Sequence, residues 1–147
     1  MKVLDFGLVK DTASQEVSLT LAGAFCGSPE TISPEAVRGQ DVGPQSDLYA
    51  LAAVGYFLLT GKGLFDATEL VDYLNHHLKS APVPFERRGV AVPDDLAAVL
   101  FRCLEKDPDA RPATANILRR ELDDCTDAGR WTQENAAEWW RVHPSRR

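Results

Sequence analysis

Asp5 is the first residue with chemical potential, a carboxylate interrupting the apolar run MKVLDFGLVK and followed at once by Phe6 and Gly7. A carboxylate at a strand end supplies oxygen to a hard divalent cation, and it equally serves a turn. Hydroxyls crowd the stretch that follows, with Thr12, Ser14, Ser18 and Thr20 ahead of Ser28. Cys26, Cys103 and Cys125 form no CxxC pair, and His76, His77 and His143 have no carboxylate or cysteine at ligand spacing. Neither a disulfide framework nor a zinc site is expected, and the histidines read as structural, His76 and His77 on a polar helix flank. Gly61-Lys62-Gly63 lacks the third glycine of a GxGxxG phosphate loop.

These groups must be held by few elements. Residues 3–9 suit two short strands about Asp5-Phe6-Gly7, and residues 11–26 lack any period, the pattern of a long functional loop. The run 48–59 is apolar on every face, which predicts a helix buried all round, capped by Ser46 or Asp47 and ended by Gly61. Asp66-Ala67-Thr68-Glu69 resembles a capping box for a surface helix over 66–79 with one apolar stripe, Leu70, Tyr73, Leu74 and Leu78. Asp94 or Asp95 can cap a helix whose Leu96, Val99, Leu100, Cys103 and Leu104 share a face, and Lys106-Asp107-Pro108 stops it. A further helix is expected from Arg111-Pro112-Ala113-Thr114 to about Cys125. A short one from Thr132 carries Trp139, Trp140 and His143, packed against the back of the core.

Four segments stand in a telling order: DFG at 5–7, GSPETISPE at 27–35, SDLYALAAVGYFLLTG at 46–61 and CLEKDPDARP at 103–112. Together they resemble the C-terminal lobe of a protein kinase from the DFG motif onward, and the wording of GSPETISPE and AVGYFLLTG is similar to the Hanks-type serine/threonine kinases of bacteria. The resemblance implies a mainly α fold, a kinase C-lobe with short N-terminal strands. It assigns residues 1–125 to the kinase domain, with an activation segment at 5–35, a helical core at 46–125 and a C-terminal helical extension at 126–147.

By the same resemblance Asp5 holds Mg²⁺ against the phosphates of ATP, Phe6 packs so as to separate active from inactive arrangements, and Gly7 lets the backbone turn. Ser28, beside Pro29 in the substrate segment, matches the hydroxyl that contacts the catalytic aspartate and lysine. Glu35 and Arg111 match a buried ion pair, structural in role, for which a planar guanidinium fork suits a carboxylate. Asp47 matches the acceptor that orders the catalytic loop, with a plain helix cap as the competing reading. Thr20 stands where an activating phosphate is often placed, against the alternative of a solvated loop threonine. Thr31, Ile32, Ala52 and Leu64 replace the commoner Tyr, Met, Gly and Pro, which bears on substrate docking.

The expected parent activity is ATP- and Mg²⁺-dependent phosphorylation of protein Ser or Thr. The glycine loop, strand lysine and catalytic loop of that family find no match in the 147 residues, so a catalytically incomplete fragment is expected, with no catalytic aspartate and neither nucleotide nor metal held by the chain alone. The alternatives are a pseudokinase-like binding module and half of a split kinase completed by an N-lobe partner. A net charge of −6 and pI near 5.0 give no field for nucleic acid or an anionic membrane. The twelve-residue run 48–59 falls short of the ~20 needed to span a bilayer, so a cytoplasmic location is expected. Oligomeric state is left open.

Overall fold

The computed structural model describes residues 28–143. Asp5, Phe6, Gly7, Thr20, Cys26 and the two expected strands lie outside the described residues. Within them the chain is helical: α1 (Pro34–Val37), α2 (Pro44–Thr60), α3 (Leu70–Lys79), α4 (Asp94–Cys103), α5 (Ala115–Asp123) and α6 (Gln133–Val142), with 3₁₀ turns at Phe85–Arg88 and Pro108–Ala110. This is the mainly α organisation expected of a kinase C-lobe.

α2 is the central post, although not in the form its composition predicts. Leu48, Tyr49, Ala52, Ala53 and Tyr56 are buried, while Leu51, Val54, Phe57 and Leu58 are exposed, Leu58 to 76%. The helix is apolar all round but buried along one stripe only, the one against which α4 packs. Gly55 allows the close approach of α4, since a Cβ there would meet Leu100 Cδ2 at 3.3 Å.

The start of α2 also differs from expectation. Gly43 is the cap and Pro44 the first helical residue, which spares an N–H that would go unpaired. Ser46 and Asp47 therefore sit inside the first turn, where Ser46 Oγ accepts from Gly43 N–H at 3.2 Å. Gly61 ends the helix at φ +66°, a left-handed conformation that a side chain would strain, and its N–H reaches the Phe57 carbonyl at 2.7 Å.

α3 begins at Leu70 rather than Asp66, because the Asp66 carboxylate is engaged elsewhere, by Arg88 at 2.6 Å. In α4 the cap position is Pro93, and Asp95 instead joins helix to chain: Oδ1 accepts from Leu96 N–H, and Oδ2 from the backbone and hydroxyl of Thr126 at 2.6 and 2.7 Å. The expected α4 stripe does face the core, with Leu100, Cys103 and Leu104 buried and Leu96 and Val99 packed on them. Thr114 caps α5 through Ile117 N–H, and Thr132 with Asn135 forms a reciprocal capping box for α6.

The core joins α2 to α4 and α5 through Tyr49, Tyr56, Leu64, Phe65, Phe85, Leu100, Leu104 and Leu118. Tyr56 and Phe85 stack at 4.9 Å, and Phe101 continues the aromatic column at 5.1 Å. The tryptophans stay outside it, contrary to the expected packing: Trp131, Trp139 and Trp140 are exposed. Trp139 instead stacks on His143 at 4.4 Å, one helical turn away. No helix among the described residues is long and apolar enough to cross a membrane.

Candidate functional site

Ser28 opens a tight turn. Its carbonyl accepts from Thr31 N–H at 3.1 Å, leaving the Ser28 side chain exposed at the rim of a cavity of about 380 Å³. Ala53, Val54 and Phe57 of α2 wall one side, Gly63 and Leu64 another, and Glu30, Thr31 and Tyr73 complete the rim with Ser28. An apolar hollow edged by hydroxyls suits an uncharged side chain of a bound chain. Pro29 is half-buried beside it.

What anchors this segment is a buried pair. Ser33 caps α1 and places Glu35, 3% exposed, against Arg111, 2% exposed. The contact is bidentate: Arg111 Nη1 donates to Glu35 Oε1 and Nη2 to Oε2, both at 2.8 Å. Every nitrogen of the guanidinium is engaged, because Nε donates to the Glu105 carbonyl and Nη1 also to the Gln45 carbonyl. Ser46 donates to Glu35 Oε1 at 2.5 Å, so α2 joins the pair as well. Burial alone would raise the Glu35 pKa, but the hydrogen bonds from Arg111 and Ser46 outweigh it and hold the carboxyl at about 2.

Asp47 is exposed in the first turn of α2, and the cap role falls to Gly43. The competing cap reading is thus corrected, and the exposed Asp47 carboxylate makes no cap hydrogen bond.

Two residues read only as bland in the sequence belong to this neighbourhood. His77 is fully buried rather than on a polar flank, with Nδ1 2.7 Å from the Tyr49 hydroxyl. Its Nε2 has no partner in hydrogen-bond geometry, although the Pro29 backbone lies near enough to oppose the shift that burial and the Lys106 charge impose on the ring, to about 4. Lys106 Nζ is likewise buried without a hydrogen bond, held over the Phe65 and Tyr49 rings at 5.2 and 5.7 Å. Burial, with the Arg111 charge, lowers its pKa to about 8. The Arg111 guanidinium lies 5.0 Å from the same Tyr49 ring, so one phenol ring meets two cations.

A pH dependence follows. His77 titrates near 6.5 when unfolded and near 4 when folded, so the neutral fold is fully favoured above pH 6.5 and loses up to ~3 kcal/mol by pH 4. Glu35 adds a further loss only from about pH 4.5 downwards, towards 2. Lys106 acts at the other end, where stability rises as pH climbs from about 8 to 10.5. Urea unfolding from pH 7 to 4.5 should show a decline in wild type that His77→Gln flattens, even though that variant starts less stable. An unchanged slope would mean that His77 is not buried neutral.

Cys103 is buried and its thiol is pushed up to about 11 by burial, an unreactive core group. Among the described residues no group of three or more His, Cys, Asp or Glu could hold a metal.

Comparison with known sequences gives a consistent result. The family model described as protein kinase domain matches residues 1–122. The serine/threonine-protein kinase pkn3 of Myxococcus xanthus is 39% identical over 83% of this chain and 23% of its own length. The serine/threonine-protein kinases PknB of Mycolicibacterium smegmatis and Mycobacterium tuberculosis are 38% and 35% identical, each over 83% of this chain and 20% of theirs. The chain thus spans about a fifth of the length of the curated relatives it matches.

Proposed function

Since the chain belongs to the protein kinase domain family, we propose that it supplies the helical, substrate-holding lobe of a serine/threonine kinase. The observation that carries this reading is the Glu35–Arg111 pair, which ties the end of the Ser28–Pro29 segment to the loop before α5 and so fixes the hydroxyl-rimmed cavity beside it. A rigid seat of this kind would position a protein Ser or Thr, which is most of what phosphoryl transfer asks of a protein. Asp5 is the residue we assign to Mg²⁺, a hard cation suited to carboxylate oxygen, and ATP supplies the phosphoryl group when bound. In this reading Ser28 and Asp47 meet a catalytic loop, Ser28 by its hydroxyl and Asp47 by its exposed carboxylate. Thr20 takes the activating phosphate.

The test is a complete domain. Joined behind the glycine loop, strand lysine and catalytic loop of an intact serine/threonine kinase, the chain should phosphorylate Ser and Thr peptides over Tyr, whereas alone it should not. A folded but inactive fusion would sink the proposal.

One observation favours a second reading. Leu51, Val54, Phe57 and Leu58 form an exposed apolar face on α2, larger than a solvated helix needs. That face would seat either the rest of a kinase domain, including an N-lobe supplied in trans, or the partner of a non-catalytic docking module. An inactive fusion would favour the module.

A further inference from the structure

We infer that Arg88, which does not line the cavity beside Ser28, sets the shape of that cavity and so decides which side chain it admits. The inference rests on reading the cavity as a substrate seat. One wall of the seat is rigid, built from the helical residues Ala53, Val54 and Phe57, but the opposite wall is Gly63 and Leu64, part of an irregular connection between α2 and α3. Leu64 and Phe65 anchor that connection in the core and the Thr60 hydroxyl ties Lys62 to the end of α2, which leaves the Gly63 carbonyl and the Asp66 carboxylate to be held by a side chain.

Arg88 supplies the rest. Its side chain is 4% exposed and spends each nitrogen in a different direction: Nη2 donates to the Gly63 carbonyl at 3.0 Å, Nη1 to Asp66 at 2.6 Å and Nε to the Tyr56 hydroxyl at 3.0 Å. The Tyr56 hydroxyl donates onward to the Val83 carbonyl at 2.7 Å, and Val83 N–H returns to the Leu64 carbonyl at 3.0 Å. Gly63, Leu64 and Asp66 are thereby clamped to α2 and to the strand of chain entering the 3₁₀ turn. The geometry calls for a planar fork with divergent donors, which lysine cannot imitate. Asp66 is 75% exposed, so the ion pair itself contributes little and the two neutral acceptors carry the positioning. With the wall fixed, the apolar hollow admits a leucine-like side chain and disfavours a carboxylate, which would lose water against Ala53, Val54, Phe57 and Leu64 and face Glu30 at the rim. Released, the Gly63 side of the wall shifts while Leu64 stays in the core, and water enters.

Two synthetic Ser-centred nonapeptides, one with Leu and one with Asp after the serine, test this in methyl-labelled full chain by NMR titration. Wild type should bind the Leu peptide ~10-fold more tightly or better, read at the Ala53, Val54 and Leu64 methyls. Arg88→Lys and Arg88→Gln should drop that ratio to near one, while Asp66→Asn, which keeps an acceptor, should preserve it. A merely destabilised variant would keep the ratio in its folded fraction. Should the Arg88 variants fail to fold, Tyr56→Phe removes one arm of the clamp and must lower the ratio. Wild-type selectivity that survives in these variants overturns the inference and leaves the seat intact, whereas no saturable shift with either peptide overturns the seat and the inference together.

Discussion

Replacing Arg111 by alanine is expected to leave most of the chain unfolded at 25 °C. The substitution strands Glu35, 3% exposed, without its two charge-assisted hydrogen bonds, and removes the donors of the Glu105 and Gln45 carbonyls as well. Breaking a buried pair from one side costs roughly 3 to 5 kcal/mol, against a total of about 5 to 15 for an ordinary domain. Ser46 cannot rescue the carboxylate, since one hydroxyl replaces a bidentate fork. The stranded Glu35 will take up a proton instead, so the loss relative to wild type should shrink as pH falls from 7 to 4, the His77 contribution being common to both proteins. Removing both charges separates the pair's worth from the cost of orphaning a partner. Glu35→Leu with Arg111→Met should recover most of the loss, because well-packed apolar pairs often match buried ionic ones. Denaturant midpoints for the three variants decide the matter. A loss under about 1 kcal/mol for Arg111→Ala, the range of exposed pairs, would mean that the pair does not hold the segment.

The Glu35–Arg111 contact was legible because its residue types sit inside two recognisable motifs, even though 76 positions separate them. His77 carries a positional signal, since Leu70, Tyr73 and His77 fall at i, i+3 and i+7 on α3, but an imidazole suits a polar flank as well as a buried stripe and its type alone does not choose. Arg88 carried no such signal. Its partners Asp66, Gly63 and Tyr56 lie 22, 25 and 32 residues away, and nothing local marks an arginine in a loop as buried. The reading of α2 erred for a different reason, since periodicity reports what a face could bury and not what lies against it. An all-round apolar helix with Leu58 at 76% exposure is a post with neighbours on one side. The helix starts shifted because side chains written as caps found better use elsewhere, Asp66 on Arg88 and Ser46 on Glu35.

In a complete domain built around this chain, Asp5→Asn should lower phosphoryl transfer by orders of magnitude while leaving the lobe folded. An asparagine keeps the size and one oxygen of aspartate but loses the charge that would hold Mg²⁺, an ion that would neutralise the negative charge developing on the transferred group. Each factor of ten corresponds to about 1.4 kcal/mol of lost transition-state stabilisation, so a drop of three decades asks roughly 4 kcal/mol of one carboxylate. Such a sum is reasonable for a metal ligand and far beyond what a strand-end aspartate in a turn could supply. The two readings of Asp5 therefore separate by magnitude. Excess Mg²⁺ should recover part of the activity if binding of the ion is what was weakened, and the melting temperature without nucleotide should stay within a few degrees of wild type. Peptide affinity should also hold, because the substitution leaves Ser28, the cavity-lining residues and the Glu35–Arg111 anchor unchanged in sequence. Loss of less than about tenfold, unresponsive to Mg²⁺, would move Asp5 from metal ligand to turn residue. The helical lobe would then be a scaffold, and its exposed α2 face the place to look for what it binds.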